Sequence, residues 1–477
     1  MRYVVGEAGW RDDPLRLLPP RRPPRGVIGR RWLATILAVA ALAQVCASVA
    51  GLPRFSVVGW AEPRPAGIAV GPRANPAPVP GGGGATAASR EVAVRSLLDR
   101  RARALLTRDR AGWLAGIDPT ATAFRARQAA VFDNLGGVPL ASWKYVLDAT
   151  VTRQLTAAAS RRYRAATLWV PSVTLRYALR AVDTEPTERP QVLTFVLRAG
   201  RWYLTADGDA VSDRGSTWRG LWDFGPVVVV RGRSSLVLAH PANVDRMQSF
   251  ADAVDAAVPH VTAVWGPAWS KQVAVLIPDG NAELVELVGA QFALARIAAV
   301  SIADYADPRV GKARGQRVVI NPANLDRLGS LGRRIVLQHE ITHVASRGVT
   351  GAGMPTWLVE GFADFVGYRD SGVPTSVIGQ DLRTLVGRGS WPGRLPADRD
   401  FRGDSPRLTV AYEEGWFACR LIADRIGVPG LVRFYRQVGT TPGQGVAAVD
   451  AALRQQLHLS TAQFVAQWRQ AVQTEFG

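Results

Sequence analysis

Two histidines four residues apart, in the run His339-Glu340-Ile341-Thr342-His343, are the residues whose type and spacing most directly imply chemistry. On an α-helix, positions i and i+4 lie one above the other on a single face, so both imidazoles can address one metal ion. The flanking sequence predicts that helix, with Ser330 capping its start, Leu337, Ile341, Val344 and Ala345 forming its buried side, and Gly348 ending it. Glu360 is the 17th residue after His343, in a second predicted helix whose first turn suits Pro355. A helix-loop-helix of this length can fold the Glu360 carboxylate back onto the same ion. Two imidazoles and one carboxylate leave a fourth zinc position open for water, the arrangement of catalytic rather than structural sites. Asp364 lies one turn beyond Glu360, where it can accept the free N–H of a ligand histidine and fix its tautomer. Gly361 and Ala363 are small, which would let the two helices approach closely. Tyr412-Glu413-Glu414-Gly415 opens a third helix, predicted to run to about Ile426 and to stop at Gly427 and Pro429. Glu413 and Glu414 are alternative carboxylates for the ion, although Glu360 has the better context.

The HExxH run followed by Trp357-Leu358-Val359-Glu360-Gly361-Phe362-Ala363-Asp364 resembles the gluzincin clan of zinc metallopeptidases. Tyr412-Glu413-Glu414-Gly415 resembles the YEKG segment of its aminopeptidase and leukotriene-hydrolase branch. The resemblance covers roughly residues 220–477 and is most specific at about 330–425. It implies a thermolysin-like fold, a short sheet with zinc-binding helices and a helical C-terminus. It also implies one zinc ion bound by His339, His343 and Glu360, with Glu340 as general base and Tyr412 as hydrogen-bond donor to the oxyanion. Such a site works because zinc polarises a carbonyl and lowers the pKa of water, a carboxylate takes the proton, and a neutral donor meets the new charge.

Some features depart from that pattern. The loop from Gly348 to Met354 is shorter than in the aminopeptidase branch, and no GxMEN-like segment precedes the helix. Endopeptidase or a narrow processing activity therefore fits better than aminopeptidase activity, and the compact bacterial peptidase-MA-like members are the nearer likeness. Arg317–Ile320 is expected to be the edge strand that aligns substrate by main-chain pairing. Gly348 is not followed by the third histidine that the metzincin pattern needs. Arg333 and Arg334 directly precede the helix, against an intramembrane site. His240, His260 and His458 have no partners at ligand spacing and read as ordinary packed or surface histidines. Glu283 and Glu286 read as the solvated side of a helix, and Cys419 as packing.

The elements that must position these residues are α+β. From about residue 218, Val227–Val230, Leu236–Leu238, Val273–Ile277 and Val318–Ile320 have strand character, with a helix over Val244–Val258 and mainly helix after Leu325. Residues 90–211 read as a small α+β domain, a spacer or binding module. Helices over Glu91–Arg110 and Phe124–Phe132 precede strands at Leu168–Val170, Val173–Leu179, Val192–Leu197 and Trp202–Thr205. The Arg198-Ala199-Gly200-Arg201 turn suits a hairpin. That element order resembles the cone-shaped nuclear-transport-factor-2-like fold.

Upstream, residues 51–89 are a Pro/Gly/Ala linker. Residues 32–50 are uncharged, and as a helix they span about 28 Å, close to the hydrocarbon thickness of a bilayer. Residues 1–31 hold eight Arg against three acidic residues, so this tail is expected in the cytoplasm and the bulk of the chain outside it. The alternative is a cleaved signal segment and a secreted protein, since Ser48 and Ala50 would suit a cleavage site.

The 477 residues suffice for two or three domains, and 47% apolar with 20% charged residues is a globular composition. The net charge of +19 comes almost entirely from scattered Arg without a basic stripe, which argues against nucleic acid as a partner. Cys46 and Cys419 are the only cysteines and are not expected to pair. The expected function is thus a membrane-anchored extracytoplasmic zinc metallopeptidase that hydrolyses a peptide or protein substrate by zinc-activated water. The competing expectation is a catalytically inactive zinc-binding envelope module whose 90–211 domain binds a partner. A third is a zinc hydrolase of non-peptide amides or esters.

Overall fold

A mixed five-stranded sheet, in the order Ala299–Ile302, Arg317–Ile320, Val273–Ile277, Ser235–Ala239 and Val228–Arg231, carries the metal-site helices on one face and the N-terminal region on the other. The computed structural model describes residues 87–477 apart from 164–166, 210–216, 289–297, 304, 308–311, 352, 392 and 442–444. The expected tail, membrane segment 32–50, most of the linker, and Cys46 lie outside the described residues. No described helix is long and apolar enough to cross a membrane.

The N-terminal region begins with α1 (Ala87–Leu106), α2 (Arg110–Ala115) and α3 (Thr122–Asn134). Its strands are β1 (Leu140–Thr152), β2 (Thr167–Trp169), β3 (Pro171–Leu179), β4 (Thr187–Gln191), β5 (Thr194–Arg198) and β6 (Arg201–Ala206), with the short α4 (Ala157–Arg162) after β1. They form two three-stranded sheets, β1-β3-β4 and β2-β5-β6. One antiparallel register nevertheless runs through both, from Trp169↔Phe195 to Val173↔Gln191. The two sheets are therefore one curved sheet, bent where Val170 meets Pro171 and where Val192-Leu193 separates β4 from β5. Proline lacks the N–H a continuous ladder requires, so a break falls naturally there. The β5–β6 turn puts Ala199 and Gly200 at φ +46° and +77°, the pair of positive values that matches the strands' own twist. Two strands were not among those expected. β1 alternates Trp143, Tyr145 and Leu147 inward with Lys144, Val146 and Asp148 outward, a legible period of two. By contrast, β4 (Thr187-Glu188-Arg189-Pro190-Gln191) carries turn residues and is a strand only through its pairing with β3.

The central sheet comprises β7 (Val228–Arg231), β8 (Ser235–Ala239), β9 (Val273–Ile277), β10 (Ala299–Ile302) and β13 (Arg317–Ile320). Between β10 and β13 lies a two-stranded extension, β11 (Tyr305–Asp307) and β12 (Lys312–Arg314). Alternation of side chains divides the sheet into two faces. Val237, Ala239, Val273, Val275, Ile277, Val318 and Ile320 join the core beneath α5 (Val244–Trp265) and α8 (Ser330–Ser346). Leu236, Leu238, Ala274, Val300 and Val319 join the core of the N-terminal region, together with α6 (Asn281–Val288).

After the short α7 (Pro322–Leu325) and α8 come α9 (Thr356–Tyr368), α10 (Thr375–Ile378), α11 (Gln380–Gly387), α12 (Leu408–Thr440), α13 (Gly445–Leu457) and α14 (Thr461–Phe476). The third helix predicted from sequence is the first half of α12. It is interrupted where expected, because Gly427 takes φ +74° and ψ 165°. The segment beyond it, however, resumes as helix to Thr440. Ser330 is not a cap: Gly329 occupies that position and Ser330 is the first helical residue.

Candidate metal centre

α8 supplies both histidines from its buried face, where Val336, Leu337 and Ile341 anchor it to the core. α9 crosses beside it and delivers Glu360. Gly367 allows that approach, since a Cβ there would stand 3.0 Å from the Ile335 carbonyl and 3.5 Å from His339 Cβ, both on α8. Gly361, expected to serve this contact, packs instead on α12. A Cβ at Gly361 would lie 2.3 Å from the Gly415 carbonyl oxygen.

The three side chains meet at one point. His339 Nε2 and His343 Nε2 are 3.0 Å apart, and each is 3.4 Å from Glu360 Oε2. Zinc bonds of about 2.0–2.2 Å in a tetrahedron set neighbouring ligand atoms about 3.3–3.6 Å apart, so the triangle is close to three corners of such a shell. All three residues are buried. Glu360 Oε2 and both carboxylate oxygens of Glu340 have no hydrogen-bond partner among the described residues. Unpartnered buried carboxylate oxygens are costly in a folded protein, and a bound cation with its water would relieve that cost. The donor set thus fits zinc.

Asp364 stands where expected. His339 Nδ1 donates to Asp364 Oδ1 at 2.8 Å, which leaves Nε2 with its lone pair toward His343 and Glu360. Without an ion, burial disfavours charge on His339, but the Asp364 carboxylate outweighs it and holds the imidazole well above its usual range. Burial raises Glu360, yet the two histidines pull it below the ordinary carboxylate value.

Tyr412 is buried on the first half of α12, edge-on to Phe401 with ring centroids 5.2 Å apart. On α12 it lies one turn before Gly415, which packs against Gly361 and the Trp357 carbonyl of α9. The alternative carboxylates are committed elsewhere. Glu413 accepts from the amides of Asp381 and Leu382 at the start of α11, and Arg407 donates to both oxygens of Glu414 at 3.0 and 2.9 Å.

The expected edge strand is corrected. Arg317–Ile320 is interior, lying between β10 and β9, and the edge is β10. The short Ala299-Val300-Ser301-Ile302 run is too brief and too rich in small residues to signal a strand alone. Glu283 is also corrected: it is buried and its Oε1 lies 2.6 Å from His240 Nε2, so it is not on a solvated face. His240 and His260 are packed histidines as expected, and His260 donates to the Val366 carbonyl. Cys419 is buried on α12.

Two residues near the site were not foreseen. Arg347, one turn beyond His343 at the C-cap of α8, donates from Nη2 to the Ser301 carbonyl at 3.1 Å and to Ser301 Oγ at 2.9 Å. Tyr435, on the second half of α12, meets Thr350 Oγ1 at 2.9 Å and donates to Ser346 Oγ, holding the end of α8. The i+4 spacing from His343 was a usable signal for Arg347. Tyr435 offered none, being 85 residues from Thr350.

No family model matches the chain, and no curated protein matches it. Solved structures similar to it are M1 zinc metallopeptidases. One from Deinococcus radiodurans is 15% identical with a TM-score of 0.31, covering 57% of each chain. A glutamate-to-alanine mutant from the same organism, bound to a Tyr-Ser-Ala substrate, is 15% identical with a TM-score of 0.33 over 58% of each chain. A two-domain M1 enzyme bound to L-arginine is 12% identical, with a TM-score of 0.31. The chain spans less than two-thirds of the length of these proteins. At such scores the chemistry must rest on the side chains of this chain.

Proposed function

We propose that this chain is a zinc metallopeptidase of the gluzincin type. The observation that carries this reading is the ligand triangle of His339, His343 and Glu360, beside a buried Glu340 whose carboxylate has no hydrogen-bond partner among the described residues. Zinc held by those three residues would supply a Lewis acid for the scissile carbonyl and lower the pKa of water. Glu340 takes the proton of the attacking water and returns it to the departing amine. A metal-binding site that only stabilised the fold would have no use for that carboxylate, which disfavours the inactive-module reading. Asp364 keeps His339 in the tautomer that presents Nε2. Tyr412 donates to the oxyanion from the side of α12, and the substrate main chain pairs with the outer edge of β10. Residues 32–50 tether the chain with its bulk outside the cytoplasm, a reading that rests on their uncharged run and the Arg-rich flank.

The test is zinc content per purified chain together with hydrolysis of unfolded casein. About one zinc per chain, lost in Glu360→Ala, with hydrolysis abolished in a zinc-replete Glu340→Gln variant, is the expected result. A chain that takes up no zinc after reconstitution at neutral pH sinks the enzyme reading.

A further inference from the structure

The edge of the sheet continues as an arm. β10 pairs with β13 from Ala299↔Ile320 to Ile302↔Arg317, and β11 pairs with β12 from Tyr305↔Arg314 to Asp307↔Lys312. The same register runs through both pairs, so β10 with β11 and β13 with β12 form one antiparallel ribbon that continues past the end of the sheet. The bond from Asn321 N–H to the Ala298 carbonyl fixes which groups face β13. By alternation, the main-chain groups of Ala299 and Ser301 face away from it. Arg347 holds this outer side at the Ser301 carbonyl, from the C-cap of α8.

The other strand of the ribbon is held from the N-terminal region. Arg317 donates to both oxygens of Asp183 at 2.7 Å, a two-pronged pair in which both side chains are buried. Lys312 Nζ donates to Glu185 Oε1 at 2.8 Å, and Arg314 lies 3.6 Å from Glu188. Three cations at 312, 314 and 317 thus face three carboxylates at 183, 185 and 188, all from the turn and strand after β3. Asp183 is itself oriented, since its Oδ2 accepts from the Leu179 amide.

We propose that Asp183, Glu185 and Glu188 are positioning residues for substrate, setting the ribbon whose outer strand aligns the peptide at the metal centre. The N-terminal region is then part of the substrate-binding apparatus and not a passive spacer. The proposal rests on the peptidase reading for its consequence, but the mechanical claim stands apart from it.

The test uses the full zinc-loaded chain in detergent, because Asp183 and Arg317 are too buried to alter safely. Glu185→Lys places a like charge opposite Lys312 and Arg314 from an exposed position, while Glu188, which also pairs with Arg176 on β3, is left intact. Amide hydrogen exchange in residues 299–303 and 312–320 is expected to quicken about threefold or more, with α8 unchanged and zinc content at parent level. With unfolded casein as probe, KM rises about two- to fivefold while kcat holds. Adding Lys312→Glu restores both. Unchanged ribbon exchange overturns the proposal, as does a rise spread equally through α8. Faster ribbon exchange that is reversed by the charge swap, in a chain that cleaves nothing in any form, sustains the positioning claim and removes the peptidase reading.

Discussion

The N-terminal region and the metal centre both bury carboxylates, and they treat them differently. Asp118 is fully buried, yet its oxygens accept from the Thr120 amide and hydroxyl, the Arg198 guanidinium and the Thr205 hydroxyl. Asp207 is bound by Arg127 and Arg219. At the metal centre, Glu340 and one oxygen of Glu360 are as deeply buried and have no such hydrogen bonds among the described residues. A carboxylate buried for architecture is bonded by its neighbours, because an orphaned one costs several kcal/mol. One that lacks bonds beside two histidine nitrogens is reserved for something that arrives later. The contrast separates structure from chemistry more sharply than burial does.

The contrast can be broken most forcefully at Glu340. Glu340→Gln should lower casein hydrolysis by about 10²–10⁴-fold with zinc content unchanged, whereas Asp118→Asn should leave kcat alone. Equal losses in the two variants would erase the distinction. Gly361→Ala should follow in size, costing about 1–3 kcal/mol, because its Cβ would meet the Gly415 backbone and not a side chain that can move. Chemical denaturation would reveal the cost, and zinc content should fall with it as α9 shifts. Asp364→Asn should weaken zinc binding about 10- to 100-fold in chelator competition, with little change in melting temperature of the zinc-loaded chain.

The smallest effects are in pH dependence, where the two regions should differ in sign. Burial would raise Asp118, but its bonds to Thr120, Arg198 and Thr205 outweigh that and hold it below the usual range. Its stabilisation is therefore full at neutral pH and fades as pH falls through its depressed value, so Asp118→Asn and the parent should converge at the acid end. Beside the metal centre, burial pushes Glu414 up to about 7 despite Arg407. Glu414 is protonated in the fold below that value, so its contribution declines as pH rises from the ordinary carboxylate range, about 4.3, toward 7. The melting temperature of Glu414→Gln should gain on the parent over that interval.

The metal centre was the most legible part of the sequence because helical spacing converts directly into geometry. His339, His343, Glu360 and Asp364 converge as their separations along two helices implied. What escaped notice depended on partners distant in sequence. Glu283 looked solvated because its partner, His240, lies 43 residues away. β10 escaped because Ala299 and Ser301 carry little side-chain signal, and its pairing with β13 is what makes it a strand. β4 was hidden by Pro190, and Gly361 was matched to the wrong neighbour because smallness does not say which helix comes close. β1 differs, because its alternation of Trp143, Tyr145 and Leu147 with Lys144, Val146 and Asp148 is a strand signal in the sequence itself.

The unbroken register of the ribbon has a bearing on how this protein tolerates change in length. Because β10–β13 and β11–β12 keep one phase, residues added to or removed from β11 and β12 in matched numbers, one on each strand, turn no side chain at the base to the opposite face. A single unmatched residue would have to be absorbed as a bulge or would invert every contact below it, Arg317 with Asp183 included. The length of the arm is thus separable from the contacts at its root.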